Sequence, residues 1–356
     1  MKLQVYEDVE GFLALQREWS ELLRQSATDT LFLTWEWQRA WWDAFGGNRS
    51  LRLLAIRDAG GRLSAIVPLF VQDTLLDPGA SVPEINIENP SALPKAEVQR
   101  TVHLVGGSEV SDYLDLIASA ELHSGACGAF LDYLAERGDW QILDLRCVPS
   151  VSPTISTVAE LARARGWEVQ QVREDVCPVL ELPDRWDAYL AERLDKKKRH
   201  ELRRKMHKAE RETDVHWYWV EPYNVDVGLQ VFFELHRASD PDKGSFMTKR
   251  MEGFFRDVSE AARDNEWLRL AIMRFDGHAV ASHLCFDYGQ DRLVYNSGFD
   301  VNTYGDLSPG IVLMGYLIQD AIKSRLRRFD FLQGDERYKY DLGATDTHVV
   351  RLFIRR

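Results

Sequence analysis

Cysteine is scarce in this chain, and the spacing of what is present excludes several kinds of site. The 356 residues include four cysteines, and no two of them form a CxxC pair. That spacing argues against a zinc ribbon or a disulfide framework and favours reduced thiols, as in cytoplasmic proteins. A GxSxG sequence is also missing, so a hydrolase with a nucleophile elbow is not indicated.

Long apolar runs are missing as well. No stretch approaches the roughly 18 apolar residues that a membrane-spanning helix needs, so we expect no membrane span. The N-terminal residues mix charges with apolar positions and lack the apolar core of a signal peptide. We therefore predict a cytoplasmic protein. Its net charge of −12 argues against a general nucleic-acid binder, although a local basic patch is compatible with it.

Two distant stretches of the chain are alike and indicate an internal repeat. Residues 31–70 and 246–286 each begin with a threonine suited to a helix N-cap, Thr34 and Thr248, followed by apolar residues three or four apart. A strand, a glycine turn and a second strand follow in both copies. The likeness continues more weakly through a third strand, a helix and a buried strand. The sequence therefore predicts two copies of one α/β unit.

Proline-containing segments set the predicted boundaries. Residues 73–100 contain four prolines and no clear periodicity, which favours an inserted surface loop in the first copy. Pro178 and Pro183 mark the boundary between the copies. We predict an N-terminal unit over residues 1–178 and a C-terminal unit over residues 179–356. The fold class is α/β (α+β), and each unit has a mixed, mostly antiparallel sheet flanked by helices.

The second copy resembles a known superfamily. Its order of helices and strands resembles the GCN5-related N-acetyltransferase (GNAT) fold. The tandem units, the basic helix and the closing stretch "RRFDFLQGDERYKYDLG" are similar to the CelD/BcsL-type acyltransferases. These are in turn similar to the Fem-type peptidyltransferases that add amino acids to peptidoglycan precursors. The resemblance covers roughly residues 30–356. Because it fixes a fold group rather than a substrate, function needs evidence from the site itself.

The resemblance implies an acyltransferase with two small-molecule substrates, a donor and an acceptor. The donor would be acetyl-CoA or another acyl-CoA, and the acceptor an amine or hydroxyl of a carbohydrate or cell-envelope precursor. A Fem-like transferase using aminoacyl-tRNA is one alternative, and a non-catalytic binding module is another. The first copy retains less of the fold's phosphate-binding loop than the second. We therefore expect the first copy to be degenerate and the second copy to be active.

Proteins of this fold hold the acyl thioester where the fourth and fifth strands separate. Here those strands would be residues 292–300 and 327–335. The following helix begins with a proline, which suits a first helical position, and its N–H groups could bind a pyrophosphate. The fold's glutamine/arginine-x-x-glycine-x-glycine/alanine loop is absent, which leaves tRNA open as a donor. The expected donor contacts are Asn296, Ser297, Ser308, Pro309 and Gly310.

A strongly basic helix opens the second copy. Residues 195–212 contain nine Lys or Arg, and their apolar residues fall largely on one side of the predicted helix. A solvated helix face is one interpretation, binding of a phosphate-rich ligand is a second, and binding of a long nucleic acid is a third. His200 and His207 share this helix without a third ligand, so no metal is expected. The candidate phosphate contacts are Lys198, Arg199 and Arg203.

Candidate catalytic residues follow the predicted fifth strand. Acyl transfer needs a base for the acceptor and a proton donor for the leaving thiolate. Asp335 and Glu336 are the candidate bases, and the resemblance makes Tyr338 the candidate proton donor. Lys339 is a candidate to hold a carboxylate or phosphate of a ligand. The alternative is a loop that is held together by salt bridges and aromatic packing.

Two histidines complete the candidate set. His283 alternates with apolar neighbours on a predicted strand, so it is either a core histidine or a base that faces the cleft. His236 lies in a predicted helix and has the same two interpretations, a structural residue or a contact to substrate.

Overall fold

The computed structural model describes residues 2–76 and 97–356, which form two compact units. The first unit extends to Asp175 and also includes His348–Arg356, and the second unit is Val176–Thr347. The predicted division therefore misassigned the C-terminal residues. The reason is strand pairing, because residues 349–355 pair with a strand of the first unit.

The helices and strands of the first half follow the predicted repeat. In chain order they are β1 (Lys2–Tyr6), α1 (Glu10–Leu23), α2 (Trp35–Phe45), β2 (Ser50–Arg57), β3 (Leu63–Leu76), β4 (Glu97–Leu104), β5 (Ile117–Ala118), α3 (His123–Arg137), β6 (Ile142–Pro149), α4 (Pro153–Ala164) and β7 (Glu168–Glu181). The loop predicted over 73–100 is wrong at both ends, because residues 69–76 and 97–104 pair as antiparallel strands. Its middle, 77–96, lies outside the described residues.

The second half contains the remaining elements. They are α5 (Trp186–Glu192), α6 (Lys196–Glu212), β8 (Val215–Trp219), α7 (Val225–Ser239), α8 (Pro241–Phe246), α9 (Lys249–Asp264), β9 (Leu268–Phe275), β10 (His278–Tyr288), β11 (Asp291–Phe299), α10 (Pro309–Lys323), β12 (Arg328–Asp330), α11 (Arg337–Asp341) and β13 (Thr345–Arg355). Over the described ranges, no helix combines the length and apolar character needed to span a bilayer.

The two predicted threonine caps are present. Thr34 Oγ1 accepts a hydrogen bond from the Trp37 N–H at 3.3 Å, and Thr248 Oγ1 accepts one from the Met251 N–H at 3.2 Å. Each hydroxyl thereby satisfies an N–H group that the first turn of a helix leaves unpaired. The starts of α2 and α9 are thus fixed by local chemistry that can be read from the sequence.

Each unit contains the same step from antiparallel to parallel pairing. In the first unit β1, β2, β3 and β4 pair antiparallel in order, and β4 then pairs with β6 in parallel over Thr101–His103. In the second unit β8, β9, β10 and β11 pair antiparallel, and β11 pairs with β12 in parallel over Asp291–Leu293. This repeated pairing confirms the predicted α/β class with mostly antiparallel sheets flanked by helices.

The basic helix α6 packs against α10 through its apolar side. Leu202, Met206 and Ala209 are the buried residues of α6. A Cβ atom at Gly315 would lie 2.9 Å from the sulfur of Met206, so the glycine permits the close approach of the two helices. Burying side chains of this size stabilises the packing by about 1.5–3 kcal/mol each. The predicted apolar side of the helix is confirmed, and its Lys and Arg residues lie on the remaining surface.

Candidate functional site

β11 and β12 separate after a short parallel pairing. Their register runs from Asp291 opposite Arg328 to Leu293 opposite Asp330. β12 ends there, whereas β11 continues to Phe299 with β10 as its partner among the described strands. The predicted fifth strand, 327–335, is therefore wrong beyond residue 330. Leu332 has a positive φ of 58° and donates its N–H to Asp330 Oδ1 at 2.8 Å, which turns the chain out of the sheet.

The part of β11 beyond its parallel pairing with β12, residues 294–299, is held by neighbouring elements. Its pairing with β10 shifts between Leu284 and Cys285, a β-bulge that changes the direction of the strand. A Cβ atom at Gly298 would lie 2.3 Å from the backbone nitrogen of His236, so α7 approaches the strand as closely as a glycine allows. This part of β11 is therefore held in a defined position by α7 and β10.

A cavity of about 560 Å³ lies beside this part of β11, and we call it the strand-edge cavity. β10, β11, the start of α10 and the loop after β12 all contribute to it. Its size is in the range of small-molecule sites in proteins. It brings together seven of the predicted residues: His283, Ser297, Ser308, Pro309, Gly310, Glu336 and Tyr338.

The first turn of α10 offers little to an anion. Pro309, its first residue, has no N–H. The N–H groups of Ile311 and Val312 both donate to the Ser308 carbonyl at 3.0 Å. Among the backbone N–H groups of this described turn, that of Gly310 is therefore the one left for a ligand. Ser308 itself has a positive φ of 53°, an uncommon conformation for a residue with a side chain.

The charges around the strand-edge cavity also disfavour phosphates. Asp300 and Glu336 line it, and none of its described lining residues is a Lys or Arg. Phe299, Ile311 and Met314 supply apolar surface. The cavity suits an acyl group and a neutral, amide-containing arm such as that of coenzyme A, but it does not suit a pyrophosphate.

Tyr338 has the properties of a proton donor. Burial raises the pKa of its hydroxyl, and the nearby Glu336 carboxylate raises that pKa further. The hydroxyl makes no hydrogen bond to any described residue, and the ring packs edge-on against Phe331 with 6.2 Å between centroids. Tyr338 therefore stays protonated near neutral pH and has its hydrogen-bonding capacity available for a ligand.

Lys339, a predicted ligand contact, is buried and engaged by the protein itself. Its side chain is 2% exposed, and Nζ lies 2.9 Å from Glu336 Oε2. The same Nζ donates to the carbonyl oxygens of Leu332, Gln333 and Gly334 at 3.2, 2.7 and 3.0 Å. An ammonium group has three N–H donors, so these contacts use it fully. Lys339 fixes the loop that presents Glu336, whose side chain is 58% exposed.

Three further predicted residues of the second unit lie outside both cavities of this site. Asp335 is exposed and lines neither the strand-edge cavity nor the basic cavity described below. Asn296 Oδ1 accepts the neighbouring Ser297 N–H at 2.8 Å, so this oxygen is engaged within its own strand. His236 is 1% exposed and packs against Phe232 and Phe246, which makes it a core residue rather than a substrate contact.

The predicted arginines of α6 are also displaced from the site. Arg199 Nη1 donates to the Leu190 carbonyl at 3.2 Å, and Arg203 is exposed. Neither residue lines the strand-edge cavity or the second cavity described next. The predicted contacts of Arg199 and Arg203 with phosphates therefore have no support from either cavity.

Other basic residues line a second cavity of about 470 Å³. We call it the basic cavity and define its cations as Lys197, Lys198, Lys205 and Arg337. Lys198, which the sequence predicted, donates its Nζ to the Tyr340 carbonyl at 2.9 Å. The sequence prediction did not include three further lining residues, Lys197, Glu201 and Lys205. Their spacing of four residues places them on one face of the helix.

Metal ligation is not indicated by the described residues. Residues 2–76 and 97–356 contain no group of three or more His, Cys, Asp or Glu that could hold a metal ion.

Comparison with known proteins bears on the fold and on the second unit. Residues 196–340 match the family described as Acetyltransferase (GNAT) domain. FemX is 11% identical with a TM-score of 0.65, covering 99% of this chain and 97% of FemX. A conserved protein of unknown function from Bacteroides thetaiotaomicron is 11% identical with a TM-score of 0.60, covering 100% of both chains. L-PGS from Bacillus licheniformis is 10% identical with a TM-score of 0.56, covering 98% of this chain and 92% of its own. No curated protein matches the sequence.

Proposed function

We propose that the second unit, in which residues 196–340 match the family described as Acetyltransferase (GNAT) domain, is an acyltransferase that transfers an acyl group from acetyl-CoA or another acyl-CoA to an amine or a hydroxyl. Coenzyme A supplies the acyl group as an activated thioester. The observation that supports this proposal is the strand-edge cavity, which lies where β11 and β12 separate and which is lined by His283, Glu336 and Tyr338.

Two side chains of the cavity divide the proton transfers. Glu336 accepts the proton that the acceptor amine or hydroxyl loses as its bond to the acyl carbon forms. Tyr338 donates a proton to the sulfur as the carbon–sulfur bond breaks. Lys339 holds the Glu336 carboxylate in place at 2.9 Å. Groups positioned in this way typically contribute about 10²–10⁴-fold to a rate.

The first unit is proposed to lack a donor site. Its cavity at the equivalent step between β4 and β6 measures only about 40 Å³. Trp41 and Phe70 fill this place, with the Arg49 guanidinium 5.5 and 5.3 Å from their ring centroids. A space of this size holds water molecules and not a thioester. This filling supports the proposal that the first unit is a degenerate copy.

The acceptor is proposed from the resemblance, and the location is proposed from the state of the cysteines. The resemblance to CelD/BcsL-type proteins suggests a carbohydrate or a precursor of the cell envelope or an exopolysaccharide. A cytoplasmic location is supported by Cys127, Cys147, Cys177 and Cys285, which are all free and buried.

A Fem-like transferase that uses aminoacyl-tRNA is the second candidate. The basic cavity and the shared fold with FemX favour it, because phosphate-rich donors need cations beside the thioester or ester. This candidate predicts binding of charged tRNA that weakens steeply with salt.

Titration with acetyl-CoA and longer acyl-CoAs by calorimetry, followed by a thiol-release assay with amino-sugar acceptors, tests the proposal. We expect micromolar binding by the wild type and by Glu336→Gln, with turnover lowered about 100-fold in Glu336→Gln. Binding without turnover for every acceptor tried would favour a binding module. If no acyl-CoA produced heat but charged tRNA bound, the Fem-like alternative would replace the proposal.

A further inference from the structure

We infer that the basic cavity is a phosphate-binding subsite for the acyl donor, formed by side chains of α6 and α11. The inference rests on the proposed function, because it concerns the anionic end of the same donor. It assigns the phosphates to Lys197, Lys198, Lys205 and Arg337 instead of the start of α10.

The start of α10 leaves the phosphates without an adequate partner. It offers one N–H, that of Gly310, because Pro309 lacks one and Ser308 engages the next two. The adjoining carboxylates of Asp300 and Glu336 would repel an anion. A donor with several negative charges therefore needs cations elsewhere.

The basic cavity supplies these cations in excess. Four cationic residues line it against three acids, Asp195, Glu201 and Asp341. Asp195 caps α6 by accepting the Lys198 N–H at 2.9 Å, and that hydrogen bond lowers its pKa. Arg204 donates from Nε and Nη2 to the Glu201 carboxylate at 2.8 and 2.7 Å. Arg204 itself does not line the cavity.

The lysines of the cavity are only weakly neutralised. Lys197 forms no ion pair with any described residue. Lys198 Nζ contacts the neutral Tyr340 carbonyl, and Lys205 Nζ lies 4.0 Å from Glu201. Strong ion pairs are shorter than this last distance. Positive charge in the cavity is therefore available to a ligand.

The first turn of α6 violates the usual charge preference of helices. Lys196, Lys197 and Lys198 occupy it, and it contains no acid. The N-terminus of a helix carries partial positive charge, so acids are favoured there and three cations are unfavourable. A bound phosphate would reverse the effect, since anions are stabilised at this end of a helix. Residues that break a local rule in this way are typical of functional sites.

The two cavities adjoin. Ile311 and Tyr338 line both of them. A linear donor with its thioester at Tyr338 can therefore extend past Ile311 and place its phosphates at the N-terminal turn of α6. The acyl end then lies in the strand-edge cavity and the charged end in the basic cavity.

Calorimetry with three probes tests the inference: coenzyme A, 3′,5′-ADP, and S-acetylpantetheine, which has the thioester arm without phosphates. Charged tRNA is titrated separately into the same proteins. The variant Lys197→Ala/Lys205→Ala removes two cations of the cavity. The matched control, Arg203→Ala/Arg211→Ala, removes two exposed cations of the same helix that line neither cavity. We expect the cavity variant to bind coenzyme A and 3′,5′-ADP at least tenfold more weakly and S-acetylpantetheine within twofold of wild type. The control should stay within twofold for all three probes.

Each result decides a separate point. Coenzyme A binding that is unchanged in the cavity variant overturns the phosphate subsite and leaves the proposed function standing. Equal losses in both variants would attribute the effect to overall charge and also overturn it. A wild-type protein that binds tRNA alone, with binding lost only in the cavity variant, supports the subsite and assigns its phosphates to tRNA. If neither coenzyme A, S-acetylpantetheine nor tRNA binds to the wild type, the proposed function fails, and the inference fails with it.

Discussion

The imidazole Nε2 of His283 lies 3.3 Å from the main-chain oxygen of Gly310. His283 is on β10 and 3% exposed, and Gly310 is in the first turn of α10. The contact joins a strand to the start of the helix that forms another wall of the strand-edge cavity. We therefore propose that His283 is a positioning residue, because its ring contacts the Gly310 carbonyl beside the cavity.

Replacing His283 should alter donor binding more than chemistry. We expect His283→Ala to raise the KM for the acyl donor about five- to tenfold and to lower kcat less than threefold, because a neutral hydrogen bond contributes about 1 kcal/mol. Steady-state kinetics with the donor varied would measure both values, and His283→Gln should recover part of the loss. A fall in kcat beyond 100-fold at constant KM would instead make His283 the base.

Removing the Tyr338 hydroxyl should slow the reaction without weakening the fold. We expect Tyr338→Phe to lower kcat about 10–100-fold, with donor affinity within threefold and an unchanged melting temperature. The fold is spared because the hydroxyl has no hydrogen bond to a described residue and phenylalanine keeps the ring contact with Phe331. A melting temperature lowered by several degrees would show that the hydroxyl is structural.

The raised pKa of Tyr338 also predicts a pH profile. A proton donor must be protonated, so activity that depends on it is lost only as pH rises through its pKa. Because burial raises that pKa above the ordinary tyrosine value, kcat should show no decline from Tyr338 up to about pH 10. A decline centred below pH 9 in the wild type that disappears in Tyr338→Phe would contradict this assignment.

Lys339 should matter mainly for stability. Lys339→Met leaves three carbonyl oxygens and the Glu336 carboxylate without their donor, so we expect a loss of about 2–4 kcal/mol in the free energy of unfolding. Urea denaturation would measure it. Lys323→Met, at an exposed position near the end of α10, is the control and should change stability by less than about 1 kcal/mol. Equal effects at both positions would argue against the role given to Lys339.

Local rules explain which features the sequence could predict. Thr34 and Thr248 mark helix starts because a hydroxyl can cap only the turn that follows it, and Pro309 suits a first helical position. The apolar side of α6 follows from helical spacing alone. These features depend on neighbours within a few residues, which a sequence shows directly.

Long-range packing explains which features it could not predict. Lys339 looks like a surface residue in sequence, and its burial depends on the path of residues 332–334 around its ammonium group. Asp115 is similar, because its carboxylate accepts hydrogen bonds from Thr28, Ser152 and Thr154, which are distant in the chain. Burial raises the pKa of Asp115, and no periodic pattern indicates this cluster.

The pairing of β13 with β6 affects how the chain folds during synthesis and where it can be truncated. Residues 349–355 of β13 pair with β6, and Arg351 forms a buried two-point ion pair with Asp144 at 2.6 and 2.9 Å. On a ribosome, β6 emerges long before this partner is synthesised, and contacts so far apart in sequence form slowly. The first unit therefore completes its sheet only after the second unit has been synthesised. A fragment ending at the junction between the units would expose an unpaired edge of β6, so an N-terminal half produced alone should be prone to aggregation.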